Sequence, residues 1–97
     1  MSTLHVLSHS PFGDDRLSSC LRLIGSADAL LLSGDAVYAL QPGTAPFSAL
    51  QTRQIKLFVL AEDAQARAIE VPEWAEVIDY PAFVELSIHH DKVNSWL

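Results

Sequence analysis

Short apolar runs separated by polar breaks set the rhythm of the chain. Thr3–Leu7 is apolar and partly β-branched and stops at Ser8-His9-Ser10-Pro11, which predicts a strand followed by a loop. Asp14 or Asp15 is placed to cap a helix running to about Ile24, with Gly25 as its stop. Within it Leu17, Cys20, Leu21 and Ile24 recur at i, i+3, i+4 and i+7, the signature of one apolar face. Ala29–Leu32 predicts a second strand, and Val37–Leu40 is either a further strand or a turn of helix. After the break at Gln41-Pro42-Gly43, Phe47–Gln54 predicts a short helix. Ile55–Leu60 is apolar except for Lys56, as expected of a strand covered on both faces.

Glu62–Ile69 is rich in Ala, Glu, Gln and Arg and predicts another helix, and Val77-Ile78 a short strand. Pro81 suits the first turn of a last helix, in which Ala82, Leu86, His89, Val93 and Trp96 follow a helical spacing. Strands alternating with helices point to one α/β domain over residues 1–97: a flavodoxin-like, three-layer arrangement with a four- or five-stranded, mostly parallel sheet. No linker, low-complexity tract or repeat divides it.

In such a sheet, ligands meet the loops at the carboxyl ends of the strands. Those loops carry Ser8, His9 and Ser10, then Gly34 and Asp35, then Glu62 and Asp63, then Asp79 and Tyr80. The rim is acidic, and no GxGxxG or P-loop offsets its repulsion of phosphate, which argues against a nucleotide site. No cofactor and no metal are expected, because loop-end carboxylates are ordinarily just solvated.

Charge adds to this picture. Six Lys and Arg against 12 Asp and Glu leave a net charge of −6, the wrong sign for a surface that displaces counterions from nucleic acid. Apolar residues at 49% are ample for a packed core. The longest apolar runs fall far short of the ~20 residues of a membrane helix, and the start of the chain does not resemble a signal peptide. A single cysteine excludes an internal disulfide, so the expected compartment is the cytoplasm.

Cys20 is the one candidate nucleophile. A sulfur-accepting thiol needs thiolate character, and Arg16, four residues earlier on the same helix, is the candidate stabiliser. Against this, Cys20 lies among Leu17, Leu21 and Ile24, and Asp14 and Asp15 weaken the positive helix start. The four histidines do not form a ligand set. His89 and His90 point ~100° apart on a helix, and His89 falls on the apolar stripe as a core or interface residue. His9 and Ser10 read as turn residues, and no GxSxG elbow is present. Phe12, Tyr38 and Trp96, near predicted loops or the chain end, are the candidate interface residues; Trp96 either folds back on its own domain or is buried by a partner.

The chain resembles the TusB/DsrH family, small proteins of the DsrE/DsrF/DsrH-like sulfur-relay group. The resemblance rests on Leu4-His5-Val6-Leu7 into Ser10-Pro11-Phe12 and on Leu30–Gly34 with Asp35-Ala36-Val37-Tyr38-Ala39. It continues through Val59-Leu60-Ala61-Glu62-Asp63, Ala66-Arg67-Ala68, Ile78-Asp79-Tyr80 with Phe83-Val84-Glu85-Leu86, and the ending Ser95-Trp96-Leu97. Single pieces are weak motifs; their order and spacing carry the likeness. It implies a flavodoxin-like domain assembled with paralogous TusC-like and TusD-like subunits as a dimer of heterotrimers. That complex takes persulfide sulfur from a TusA-like protein and passes it to a TusE-like one, for 2-thiouridine at the tRNA wobble position. In the DsrEFH version the sulfur serves dissimilatory metabolism. The resemblance places the main relay cysteine on the TusD/DsrE subunit, while Cys20 matches the cysteine that the DsrH branch carries in its first helix. It therefore implies two roles: a structural subunit without its own chemistry, or a sulfur carrier through Cys20. Neither involves direct contact with nucleic acid or membrane.

Overall fold

The computed structural model describes residues 2–96. Its elements are β1 (Thr3–Leu7), α1 (Arg16–Leu23), β2 (Ala29–Leu32), a 3-10 helix (Gly34–Leu40), α2 (Ala45–Thr52), β3 (Lys56–Leu60), α3 (Ala61–Ala66), β4 (Glu76–Ile78), α4 (Tyr80–His89) and β5 (Lys92–Trp96). The five strands form one parallel sheet in the order β4-β3-β2-β1-β5. This is the α/β architecture that the strand–helix alternation predicts, with the strand count resolved to five.

The order divides the core in two. From β1 the chain steps to β2, β3 and β4 in one direction, then returns past β1 to the opposite edge. Right-handed crossovers then place α1, the 3-10 helix, α2 and α3 over one face and α4 alone over the other. The packing agrees. Leu7, Leu30, Leu32, Leu57 and Val59 meet Leu17, Cys20, Leu21, Val37, Leu50 and Ala64 in one cluster. Leu4, Ala29, Leu31, Leu60 and Ile78 form the second, against Ala82, Phe83 and Leu86 of α4. β2, covered on both faces, is buried along its whole length.

Local chemistry explains most boundaries. Thr44 accepts from the Phe47 amide to cap α2, and Asp79 accepts from the Ala82 amide at 3.0 Å to cap α4, whose Pro81 sits in the first turn. The ambiguous Val37–Leu40 segment is the end of the 3-10 helix, with Val37, Ala39 and Leu40 buried. Gly34, which opens it, has φ +52°, and a Cβ there would come within 3.1 Å of the Ser8 carbonyl oxygen.

The last helix is shorter than its periodicity predicts. It stops at His89, and the backbone of His90 is already extended (φ −93°, ψ 146°). Residues 92–96 instead form β5, paired with β1 in register from Thr3↔Lys92 to Leu7↔Trp96. Val93, Asn94 and Ser95 are weak helix formers, and extending them satisfies the backbone of β1 on its open side. The junction is fastened by the Ser2 amide donating to Asp91 Oδ2 at 2.9 Å and the Lys92 amide donating to the Ser2 carbonyl at 3.1 Å. The predicted stripe through Val93 and Trp96 is thus split between a helix and a strand. His89, read as a core or interface residue on that stripe, lies exposed at the end of α4.

Candidate functional site

α1 follows the turn at Ser10–Gly13, where the Ser10 hydroxyl accepts from the Phe12 amide and the Ser10 carbonyl from the Gly13 amide. Its inward face is Leu17, Cys20 and Leu21, as the spacing predicts, while Ile24, the fourth residue of the predicted face, is the extended cap after the helix and packs half-buried on the same cluster. That places Cys20, the one cysteine, inside the larger core cluster with no exposed surface. Burial pushes its thiol up, and the Asp28 carboxylate adds to the effect, raising it to about 11. At neutral pH the sulfur is a covered, protonated thiol.

The two members of the sequence-derived pair are engaged separately. Arg16 turns to Asp14: its backbone amide donates to Asp14 Oδ1 at 2.9 Å, and its guanidinium pairs with the same carboxylate. The Arg16 amide, and then its guanidinium, hold the Asp14 carboxyl below the usual range against the effect of desolvation. The charge that reaches the Cys20 thiol is that of Asp28.

Asp28 belongs to a network that the sequence did not reveal. Its Oδ1 accepts from the Thr3 amide at 2.9 Å and its Oδ2 from the Gly25 amide at 2.8 Å. The same Oδ2 lies 3.4 Å from His5 Nε2, and His5 Nδ1 lies 3.1 Å from the indole nitrogen of Trp96. Indole N–H is a donor only, so His5 Nδ1 accepts and Nε2 carries the proton toward Asp28. The Gly25 amide first, then the Thr3 amide and His5, lower the Asp28 carboxyl pKa against desolvation. His5 is only 5% exposed, on the same side of the sheet as Leu7 and Trp96. Sequence reading has no local signal for this set, because its members lie 23 and 91 positions apart.

The three candidate interface residues do not converge. Phe12 is exposed and borders a groove of about 570 Å³ between α1 and the start of α2, walled by Leu17, Leu21, Pro46 and Ala49. Cys20 is not among the residues lining it. Tyr38 is half-buried in the 3-10 helix. Trp96 is half-buried too, and it folds back onto its own core while reaching His5.

The strand-end rim is acidic, as read, but largely occupied by its own contacts. Asp63 Oδ2 accepts from the Gly34 amide at 2.8 Å, and Arg67 donates to Asp35 at 3.0 Å and to the Asp63 carbonyl at 3.2 Å. Asp79 is spent as the cap of α4. Among the described residues no group of three or more His, Cys, Asp or Glu is placed to hold a metal ion, and no helix is long and apolar enough to cross a membrane.

The outward side of α4 is the second feature missed in the sequence. Tyr80, Val84 and Ile88 recur at i, i+4 and i+8, opposite the Ala82, Phe83 and Leu86 side that meets the sheet. They are 47%, 54% and 74% exposed. Their spacing is present in the sequence, but the longer apparent stripe beginning at Ala82 overlaps it.

Comparison with known proteins places these features in context. The family model described as DsrH like protein matches residues 9–93. Protein TusB of Erwinia tasmaniensis is 39% identical over 95 residues, covering 96% of this chain and 99% of that protein. Protein TusB of Yersinia enterocolitica serotype O:8 is 37% identical over the same coverage, as is that of Enterobacter sp. strain 638. Among solved structures, the crystal structure of the ychN protein from E. coli matches with a TM-score of 0.73 at 20% identity, covering 98% of this chain and 99% of that one, a likeness of fold.

Proposed function

The chain belongs to the DsrH-like family, and we propose that it is a subunit of a TusBCD-type sulfur-relay complex serving 2-thiouridine formation at the tRNA wobble position. Its role in that complex is structural: it completes the assembly with TusC-like and TusD-like subunits in the cytoplasm, while a partner carries the sulfur between TusA-like and TusE-like proteins. The name shared by its relatives supports the thiolation branch. The observation that carries the structural role is the state of Cys20. The one thiol of the chain is covered by the core and held protonated, whereas sulfur transfer requires an accessible thiolate.

Co-production with TusC-like and TusD-like subunits tests the assembly: the chain elutes with them as one heteromeric species, and separate elution overturns the reading. The competing role, Cys20 as carrier, has Cys20 thiolate attack the outer sulfur of a donor persulfide, leaving Cys20 as a persulfide and the donor as a thiol. On the structural reading, incubation with excess persulfide donor adds no sulfur to the native chain. A gain of one sulfur atom in mass, lost in Cys20→Ser, establishes the carrier role instead.

A further inference from the structure

We propose that the outward face of α4, centred on Val84 and Ile88, docks a partner subunit whose own face is apolar at its centre and carries Lys or Arg at its edge. The inference rests on the assembly reading above and assigns the surface through which that assembly forms.

α4 is apolar on both sides. Its inner side packs Ala82, Phe83 and Leu86 on the sheet, and its outer side presents Tyr80, Val84 and Ile88. A helix with apolar residues on two opposite sides normally buries both, yet no residue of α4 is buried in the single chain. Among the described residues the helix also stands alone on its side of the sheet, and Val93 of β5, which points to that side beside Leu4, remains exposed. By contrast, Phe12 and Leu23 lie on or near α1, over the opposite face, apart from this stripe.

Charge selects the occupant. α4 holds no Lys or Arg, and the exposed charges on it and at its two ends are Asp79, Glu85 and Asp91, with one cation, the exposed Lys92 that opens β5, beside Asp91. A second copy docked on this face would set three carboxylates and a single lysine against the same set in a chain already at −6, a net repulsion. A partner with a basic rim around an apolar centre matches both parts of the surface. Such a contact associates faster and more tightly at low salt.

The test uses the complex of the chain with its TusC-like and TusD-like subunits, followed by light scattering and by titration at low and high salt. Ile88→Glu and Val84→Asp each alter only an outward side chain, and each weakens assembly at least tenfold without changing the circular dichroism of the isolated chain. Leu23→Glu, an equally exposed change on α1, assembles as the unmodified chain does. Glu85→Lys weakens assembly and flattens its salt dependence. Hydrogen exchange over residues 80–89 slows when the unmodified complex forms, a readout independent of any variant. Unchanged exchange there, or normal assembly by both Ile88→Glu and Val84→Asp, overturns the inference and leaves the assembly reading standing. A homodimer of the isolated chain broken by Ile88→Glu also overturns it, with a second copy as occupant. Failure of the unmodified chain to join the subunits overturns the assembly reading, and the inference with it.

Discussion

The indole N–H of Trp96 donates to His5 Nδ1 at 3.1 Å, tying the last strand to the first across 91 positions of sequence. Trp96→Phe keeps most of the ring but deletes the donor, leaving the buried His5 nitrogen without its partner. The expected cost is about 1–2 kcal/mol in urea unfolding, within the range for an orphaned buried acceptor. A change within about 0.5 kcal/mol, typical of surface substitutions, overturns the proposed clasp.

The same clasp sets a pH dependence. Asp28 has its carboxyl pKa lowered in the folded chain, chiefly by the Gly25 amide and then by the Thr3 amide and His5. Its contribution is therefore present above the unfolded carboxylate value and is lost as pH falls through the lower folded one. Urea midpoints measured from about pH 6 down to about pH 3 should drop less steeply for Asp28→Asn than for the unmodified chain, because one linked proton is gone. Parallel acid limbs overturn this assignment.

The contrast between Asp28 and Cys20 marks what the sequence could say. The apolar face of α1, the acidic strand-end rim and the parallel alternation follow from spacing and charge, and all are present in the fold. Which charge faces the thiol does not follow. Arg16 is four residues away along the helix yet pairs with Asp14, while the carboxylate whose charge acts on the Cys20 thiol is Asp28, in the loop before β2. The end of the chain misled for a related reason. Val93 and Trp96 fit a helical spacing by coincidence, and only the pairing partner β1, far away in sequence, selects the strand.

Burial of Cys20 makes two measurable statements. Its thiol, pushed up to about 11 from an ordinary 9.0, should react with a thiol reagent far more slowly in the native chain than in urea at pH 8. Because the folded value is the higher one, its stabilising contribution is complete below the unfolded value and is lost as pH rises from about 9 to about 11. Labelling as fast in buffer as in urea shows the thiol to be accessible and overturns both.

Gly34 holds the turn between β2 and the 3-10 helix with φ +52°, 3.1 Å from the Ser8 carbonyl at its would-be Cβ. Gly34→Ala combines left-handed strain with that close approach, and roughly 1–3 kcal/mol of stability should be lost. Gly43 also has positive φ, but open space surrounds its Cβ position. Gly43→Ala should therefore cost less, and equal losses at the two sites overturn the role given to the Ser8 contact.

Arg67 decides whether the strand-end rim behaves as a cation site. Its guanidinium bonds Asp35 at 3.0 Å and lies 3.9 Å from an Asp63 carboxylate oxygen, while the other Asp63 oxygen accepts from the Gly34 amide. A positive group thus already sits beside these carboxylates, and they do not supply the six to eight oxygens that calcium prefers. Since Asp35 is more than half exposed, the pairs are weak, and Arg67→Gln should cost no more than about 1 kcal/mol. Raising ionic strength should narrow that difference by screening the carboxylates left behind. Magnesium or calcium should shift the melting temperature of the unmodified chain no more than sodium chloride of equal ionic strength, because only an ion bound specifically to the native state adds stability. A larger rise with the divalent ion that Asp35→Asn abolishes overturns this and identifies a cation site at Asp35 and Asp63 despite the guanidinium beside them.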